Sequence, residues 1–453
     1  PPGPYPLPLV GNLFDLLNVN GAWDVFLEWK TKYGDIVGLR ALGYNVVVLN
    51  SLRAFDDLLN KRGDNYSHRP NLTVVRELMD FGHIIPLRDC DEEWRKMRKI
   101  LHNVLGPQPV KQYYILQEDA AATFVAHVIK DPENYRDFLR AYVKALRLIR
   151  KRTRLYQAFR HAEDTMKLVR DSILVGANVA DIIPAMKYLP TWLPFHRRAA
   201  HGREMIHKMV FPPYEQVEIE MAEGKARPSL VRDMLARNGL KGPPGKKERD
   251  RTLWTAGIYA TILTFILAMV LNPDKQEAAQ AEIDNVLGVG QLPVLRDRGR
   301  LPYIDSVLKE TMRWHPMIPL GFPRRTSQAD EYSGYSIPAN TVILMNVWSI
   351  AFEADTMYPP REFHPERFLD KDHPVVDTAS WAFGFGRRIC PGKLLAENTL
   401  FILMSTILTV FKLTPTENFK MPDFVTDMGS YPGPFDCHFT PRSPMVEETV
   451  RQR

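Results

Sequence analysis

The residues best suited to chemistry lie in one run, Phe383-Gly384-Phe385-Gly386-Arg387-Arg388-Ile389-Cys390-Pro391-Gly392. A solitary buried cysteine is usually just a small hydrophobe, but the surroundings of Cys390 differ. Glycines before and after it let the backbone turn sharply and approach a flat ligand closely. Pro391, followed by an apolar run, reads as the first turn of a helix. Cys390 is then expected at a helix N-terminus, where the dipole and free N–H groups favour thiolate over thiol. Arg388, two residues earlier, can neutralise an anionic group, and Phe383 adds an aromatic face. A thiolate on a tight loop beside a cation is what a haem iron with one protein axial ligand requires.

This loop has the pattern FxxGxRxCxG and resembles the haem-thiolate loop of the cytochrome P-450 family. Other segments match in chain order. Trp94 and Arg98, in WRKMR, stand four residues apart on one helix face; alone they would also suit a surface stack, and the resemblance implies that both contact a haem propionate. Glu310 and Arg313, in ETMR, match the family's ExxR, a spacing common in surface ion pairs. With Arg367 of Pro365-Glu366-Arg367-Phe368, the resemblance implies a buried ion network behind the thiolate loop. Its role would be structural, since such a network costs desolvation and is kept for placement. Within RWHPMIPLGFPRRT, Arg324 falls where the family sets a His or Arg against a propionate, so that Arg98, Arg324 and Arg388 offset the two carboxylates. Phe383 and Cys390 complete the implied haem contacts, with Cys390 as the axial ligand of iron.

The resemblance covers essentially the whole chain and is closest to eukaryotic microsomal, fungal-type members. It implies a mainly α fold with a small β-rich part, as a single catalytic domain over residues 1–453. The cofactor implied is haem b, iron protoporphyrin IX. The implied activity is a haem-thiolate monooxygenase acting on a hydrophobic small molecule of secondary-metabolite type. Electrons would come from NADPH through a separate flavoprotein reductase, because no nucleotide-binding glycine fingerprint stands out. Arg95, Lys96, Lys99, Arg387 and Lys393 are candidates for its docking patch, with scattered solvated charges the alternative. Two rivals are a haem-thiolate peroxygenase, isomerase or dehydratase that bypasses O2, and a non-catalytic haem- or ligand-binding relative. A monomer at the cytoplasmic face of the endoplasmic reticulum membrane is the expected setting, and no nucleic-acid partner is expected. By family position the substrate pocket draws on 71–85 with Phe81 and Ile84, 175–192, the central helix, 317–322 with Ile318, and 426–430 with Met428.

Composition agrees with a large folded enzyme. The chain has 453 residues, 45% hydrophobic and 25% charged, which excludes disordered, collagen-like and coiled-coil chains. At roughly 150 residues per domain, this length suits two or three domains or one large one. Fifty-nine basic against 53 acidic residues leave +6, a mild excess that permits an acidic partner without arguing for nucleic acid. Three cysteines, Cys90, Cys390 and Cys437, cannot all pair, so a disulfide scaffold is excluded and a reducing compartment is expected. The start, PPGPYPLPLVGN, reads either as a native soluble N-terminus or as a stiff stub that suits a hinge next to an anchor, and the resemblance implies the anchor. No stretch is expected to cross a bilayer; Ile258–Leu271 comes nearest and reads as a buried core helix.

The elements that must position these residues follow from periodicity and punctuation. Tyr33 to Asn50 reads as a β-hairpin, and Asp91 to about Met221 as mostly helical, broken near Tyr188 to Phe195. Asn238 to Asp250 is a Gly/Pro/Lys-rich linker. Three helices are expected next, from about Arg251, at Lys275 to Leu287 and at Tyr303 to Trp314. Strands and loops are expected after Pro316, apart from the helix after Cys390. Two departures from the family stand out. The basic run VKALRLIRKRTR (residues 143–154) replaces a more apolar stretch and is either a solvated face or a docking face. In the long central helix the family's acid–threonine pair for proton delivery falls on Ala256, Gly257 and Ile258, with Trp254 at the expected glycine. None of these relays a proton. Thr261, one turn beyond Gly257 on the same face, is the candidate displaced hydroxyl, against the alternative of a back-bonded helix threonine.

Overall fold

The computed structural model describes residues 1–17, 21–41, 43–145, 178–226, 254–426 and 429–452, with Thr165, Leu168, Val169, Ser172, Ile173, Arg232, Asp233 and Ala236. The linker at 238–250, most of the basic run 143–154 and Met428 lie outside the described residues. The expected hairpin forms: Ile36–Ala41 pairs antiparallel with Tyr44–Leu49. Val342–Met345 joins it in parallel and Arg324–Arg325 pairs on the far side of that strand, giving a four-stranded sheet. This pairing carries Arg324, 275 residues away from the hairpin's end at Leu49 in sequence, into the sheet beside Ile343.

Helices build the rest. Trp254–Leu271 is apolar along its length, the pattern of a helix surrounded by protein. It stops where Pro273 disfavours helical backbone at Asn272, and Pro273 then starts the next helix, Pro273–Leu287, bent 105° from the first. Pro302–Trp314 opens with two backbone N–H groups, of Tyr303 and Ile304, donating to the Glu282 carboxylate at 2.9 and 3.0 Å. Lys393–Val410 follows the cysteine loop, buried continuously from Glu397 onward. These helices share one core through Phe265, Ile304, Phe401 and Leu408.

Three expectations need correction. Lys393–Val410 is long and apolar enough, by length and composition, to cross a membrane, but 72% of it is buried in the protein, as in a core helix. Two helices beyond Pro316 were not expected: Val347–Ala351, and Pro444–Gln452, which opens on a proline. The helix after Cys390 starts at Lys393 with Gly392 as its cap, so Pro391 precedes the first turn.

Candidate haem-thiolate site

The cysteine loop is fixed by its own backbone. The Cys390 N–H donates to the Phe383 carbonyl at 2.8 Å. Gly386 has φ +52, and a Cβ there would lie 2.1 Å from the Leu59 carbonyl oxygen, so only glycine fits. Cys390 lines a cavity of about 270 Å³ shared with Trp94, Arg98, Arg324, Phe383 and Arg388. Burial pushes its thiol up to about 12, outweighing the opposing pull of the Gly392 N–H, Arg98 and Lys393. The loop N–H and the nearby cations pull toward thiolate, as the sequence leads one to expect, and burial pulls the other way. A coordinated metal deprotonates a thiol outright, so an iron held here would supply the positive charge that offsets the burial.

The opposite chemistry lines another part of the cavity. Arg324 is 1% exposed and donates from Nη2 to the Phe385 carbonyl at 2.7 Å. Arg388 donates to the carbonyls of Ser67 (2.7 Å) and Ile85 (3.2 Å), and its guanidinium lies 4.5 Å from the centre of the Trp94 ring. Arg98 reaches the Ile389 carbonyl at 2.5 Å from a helix whose first turn is capped by Asp91. After these bonds, Trp94 Nε1, Arg324 Nε and Nη1, and Arg388 Nη2 remain buried with no hydrogen-bond partner among the described residues. Burial pushes Arg324 down to about 9 and Arg388 to about 10, and mutual repulsion adds to the fall at Arg324. Buried donors without acceptors are costly. Several of them, cationic and on the cavity that holds the cysteine sulfur, fit the two carboxylates of a haem.

Arg69 belongs with them and escaped the sequence reading. It is 5% exposed, lines the same cavity and donates from Nη1 to the carbonyls of Phe322 (3.0 Å) and Pro323 (2.6 Å), while its Nε has no partner. Burial, then Arg388 and Arg324, hold its guanidinium well below the usual range. An arginine before a proline carries no spacing signal; only its place beside Arg324 in the fold reveals it.

The expected ion network is present. Glu310, fully buried, accepts from Arg313 at 2.7 and 2.9 Å, from Arg367 at 3.2 Å and from the His364 N–H at 2.7 Å. Arg313 spends its remaining N–H groups on the carbonyls of Ala351, Pro360 and Glu362. The network thus ties one helix to the 351–367 segment. Its link to the cysteine loop is indirect: Lys309 pairs with Asp377 at 3.0 Å, Asp377 caps the Thr378–Ser380 turn, and Lys393 donates to the Ala379 carbonyl at 2.7 Å.

The central helix presents Gly257, Ile258, Ala260 and Thr261 to the cavity. The Thr261 hydroxyl donates to the Gly257 carbonyl at 2.8 Å, so its proton is held within the helix. Of the other expected walls, Ile318 and Ile85 line the cavity, but Phe81 and Ile84 pack instead into an apolar cluster with Val169 and Ile173. Tyr188 and Trp192 turn outward, 82% and 65% exposed. In the candidate docking patch Arg95 and Lys99 are exposed, whereas Lys96 pairs with Glu92 and Arg387 with Asp64.

The family model for cytochrome P-450 matches residues 1–437. The chain belongs to the cytochrome P-450 family. Membership implies a haem cofactor, which the cysteine and the orphaned donors fit. The cytochrome P-450 monooxygenase claR of Ampulloclitocybe clavipes is 36% identical, over all of this chain and 88% of its own length. The cytochrome P-450 monooxygenase COX2 of Coprinopsis cinerea is 33% identical, over 99% and 90%. Among solved structures, a zebra fish cytochrome P-450 with abiraterone shares the fold at TM-score 0.73 and 22% identity, over 93% of this chain and all of that one.

Proposed function

We propose that this cytochrome P-450 is a haem-thiolate monooxygenase, with Cys390 the axial ligand of haem b and residues 1–453 one catalytic domain. The observation that carries the reading is the sharing of one cavity by the Cys390 sulfur and by buried, unpartnered donors of Trp94, Arg69, Arg324 and Arg388. The monooxygenase names of the fungal relatives support it. The balance would be substrate C–H, O2, NADPH and a proton giving C–OH, water and NADP⁺, the electrons passing through a separate reductase. The haem, when bound, supplies the redox and O2 chemistry. This chain's residues do the rest. Arg69, Arg98, Arg324 and Arg388, with the Trp94 indole, would hold the carboxylates. Gly386 and the Cys390 backbone fix the sulfur, and Glu310, Arg313 and Arg367 hold the scaffold around it. Ile258, Ile318, Phe322 and Val347 exclude water and favour an uncharged, hydrophobic substrate of secondary-metabolite type.

Proton delivery is the weak point. The Thr261 hydroxyl is on the cavity but its proton is given to Gly257, so we assign proton supply to water or to a substrate hydroxyl, relayed by Thr261 when it turns. Product formed per NADPH consumed, with reductase and O2, tests this. Low coupling is expected, raised when Ala256→Asp and Gly257→Thr are installed with Met317→Ala to make room; tight wild-type coupling with an unaffected Thr261→Ala variant would overturn the assignment. The same apolar helix favours one rival, a peroxygenase, isomerase or dehydratase, for which turnover with peroxide or substrate alone would speak. We assign the protein, as a monomer, to the cytoplasmic face of the endoplasmic reticulum membrane; exposed Tyr5, Leu7, Leu9, Phe14, Tyr188 and Trp192 suit contact with a membrane surface.

A further inference from the structure

One cavity wall runs from Pro316 to Arg324, and its backbone is pinned along its length. The Met317 carbonyl accepts the Ser430 N–H at 3.1 Å, and the Pro319 carbonyl the Trp348 N–H at 3.1 Å. The carbonyls of Phe322 and Pro323 both accept from Arg69. Five bonds along the wall, counting the turn bond from Gly321 N–H to the Ile318 carbonyl at 3.1 Å, hold it against retreat. Side chains are therefore what can give. At one point the wall meets the central helix directly: a Cβ on Gly257 would stand 2.7 Å from the terminal methyl of Met317, and no other atom of the described residues beyond the helix's own adjacent backbone lies within 4 Å of it. Gly257 and Met317 both line the cavity. The helix thus carries a notch one residue deep, and the Met317 thioether sits in it.

We propose that Gly257 and Met317 form a width gauge for the substrate: the notch receives the thioether and so keeps it out of the cavity. The inference rests on the monooxygenase-type site proposed above and deepens it. Three features carry it. First, the wall backbone is held by groups on three other elements, so an added methyl at Gly257 has to be met by movement of Met317 itself. Second, methionine is unbranched with three rotatable bonds and fills or leaves irregular space at little cost, so the wall adapts through this side chain. Third, the neighbouring surface is apolar, with Ile258, Ile318, Phe322 and Val347 on the same cavity. Discrimination here is therefore by width. A narrow apolar molecule is indifferent to the notch. A wide, rigid one needs Met317 seated in it.

Filling the notch should leave the fold intact, because the helix prefers alanine to glycine and the contacted atom is the free end of a flexible chain. The test uses the haem-loaded protein and three nitrogen ligands of increasing width, namely 1-methylimidazole, 1-phenylimidazole and 1-(2-naphthyl)imidazole, each titrated by its optical shift. Gly257→Ala should weaken the naphthyl ligand at least tenfold and leave 1-methylimidazole within twofold. Met317→Ala should bind the naphthyl ligand as well as the wild type or better. Gly257→Ala with Met317→Ala should recover wild-type affinity for it, since the methyl then has nothing to displace. A uniform loss across all three ligands, no loss at all, or a double variant as weak as Gly257→Ala would overturn the gauge. The reduced carbon-monoxide spectrum of each variant is recorded first. A thiolate-type band with no width dependence sinks the gauge alone, and the lack of such a band in the wild type sinks the underlying reading.

Discussion

Around Cys390 the charged side chains on the cavity are tied to backbone carbonyls, two each for Arg69 and Arg388 and one each for Arg98 and Arg324; on the central helix the Thr261 hydroxyl, the one among the described residues there that reaches the cavity, is bonded to its own helix. Arg388 is fixed by the carbonyls of Ser67 and Ile85 and stacked on Trp94, while Glu310 gathers Arg313, Arg367 and a backbone N–H. Opposite them stand Gly257, Ile258, Ala260 and Thr261. The difference separates two tasks that share a cavity. Holding a flat dianionic cofactor by its sulfur ligand and its carboxylates needs many fixed polar groups. Accepting an apolar molecule needs few, and in this chain the second task has taken over a helix where proton delivery would also have to be housed.

The sharpest way to break the polar side is Glu310→Ala. It leaves Arg313 and Arg367 buried with no carboxylate between them, a class of change that costs about 3–5 kcal/mol. The expected outcome is a protein that is largely insoluble or haem-free, read by soluble yield and by haem content per chain. A near-normal melting temperature with full haem content would mean that the backbone carbonyls alone satisfy both arginines.

Next in size is Arg324→Met. In the haem-free chain this substitution removes a buried cation with unpartnered Nε and Nη1, so thermal stability should be unchanged or higher. In the loaded chain it removes a charge-assisted bond worth about 1.5–3 kcal/mol, so haem should be lost roughly 10–100-fold more readily to an acceptor such as apomyoglobin. Opposite signs in the two states are the signature of a carboxylate site; destabilisation in both would make Arg324 a plain structural residue. Arg69→Met should raise haem loss in the same way, but it also takes the donor from the Phe322 and Pro323 carbonyls, so the haem-free chain should lose stability as well.

A pH prediction probes the junction between the two sides. His315 stacks on Phe424 at 3.8 Å and is edge-on to Trp314, and burial, with help from Arg313 and Arg361, pushes it down to about 3. The folded chain therefore keeps this imidazole neutral where the unfolded chain protonates it. The sign follows: its contribution is complete above the unfolded pKa of about 6.5 and is lost progressively as pH falls from there toward 3. The melting temperature should fall between pH 7 and 5, and His315→Phe should flatten that fall. An unchanged slope in the variant would place the acid sensitivity elsewhere.

The smallest effect is expected at Thr261. Thr261→Val removes a hydroxyl already bonded to the Gly257 carbonyl, so stability should change by about 1 kcal/mol or less. Any change in product per NADPH would then report the hydroxyl's part in proton supply rather than a structural loss.

How much of this was legible before the fold is uneven, for physical reasons. Cys390, Arg388, Glu310, Arg313 and Arg367 stand in short runs whose order and spacing carry information, and the structure brings each group together as those runs imply. The three helices between Trp254 and Trp314 were legible from apolar pattern, whereas the starts of the second and third, expected at Lys275 and Tyr303, fall at Pro273 and Pro302. Arg69 was not, because a buried cation looks in sequence like any surface arginine. The environment of Cys390 was half legible for a similar reason: the helix start and the cations that pull toward thiolate show in the sequence, and the burial that pulls the other way shows only in the packing. The Gly257 notch was also hidden, since sequence shows that a side chain is missing but not that Met317 occupies its place.

The central claim is that the Cys390 sulfur ligates a haem held by the arginine side of the cavity. The reduced carbon-monoxide difference spectrum of the purified protein tests it most directly. The wild type should give the thiolate-type Soret band, and Cys390→Ala should lose it while Thr261→Val keeps it. A wild type with the band of a haem lacking a thiolate ligand, or a Cys390→Ala variant that retains the thiolate band, would contradict the account.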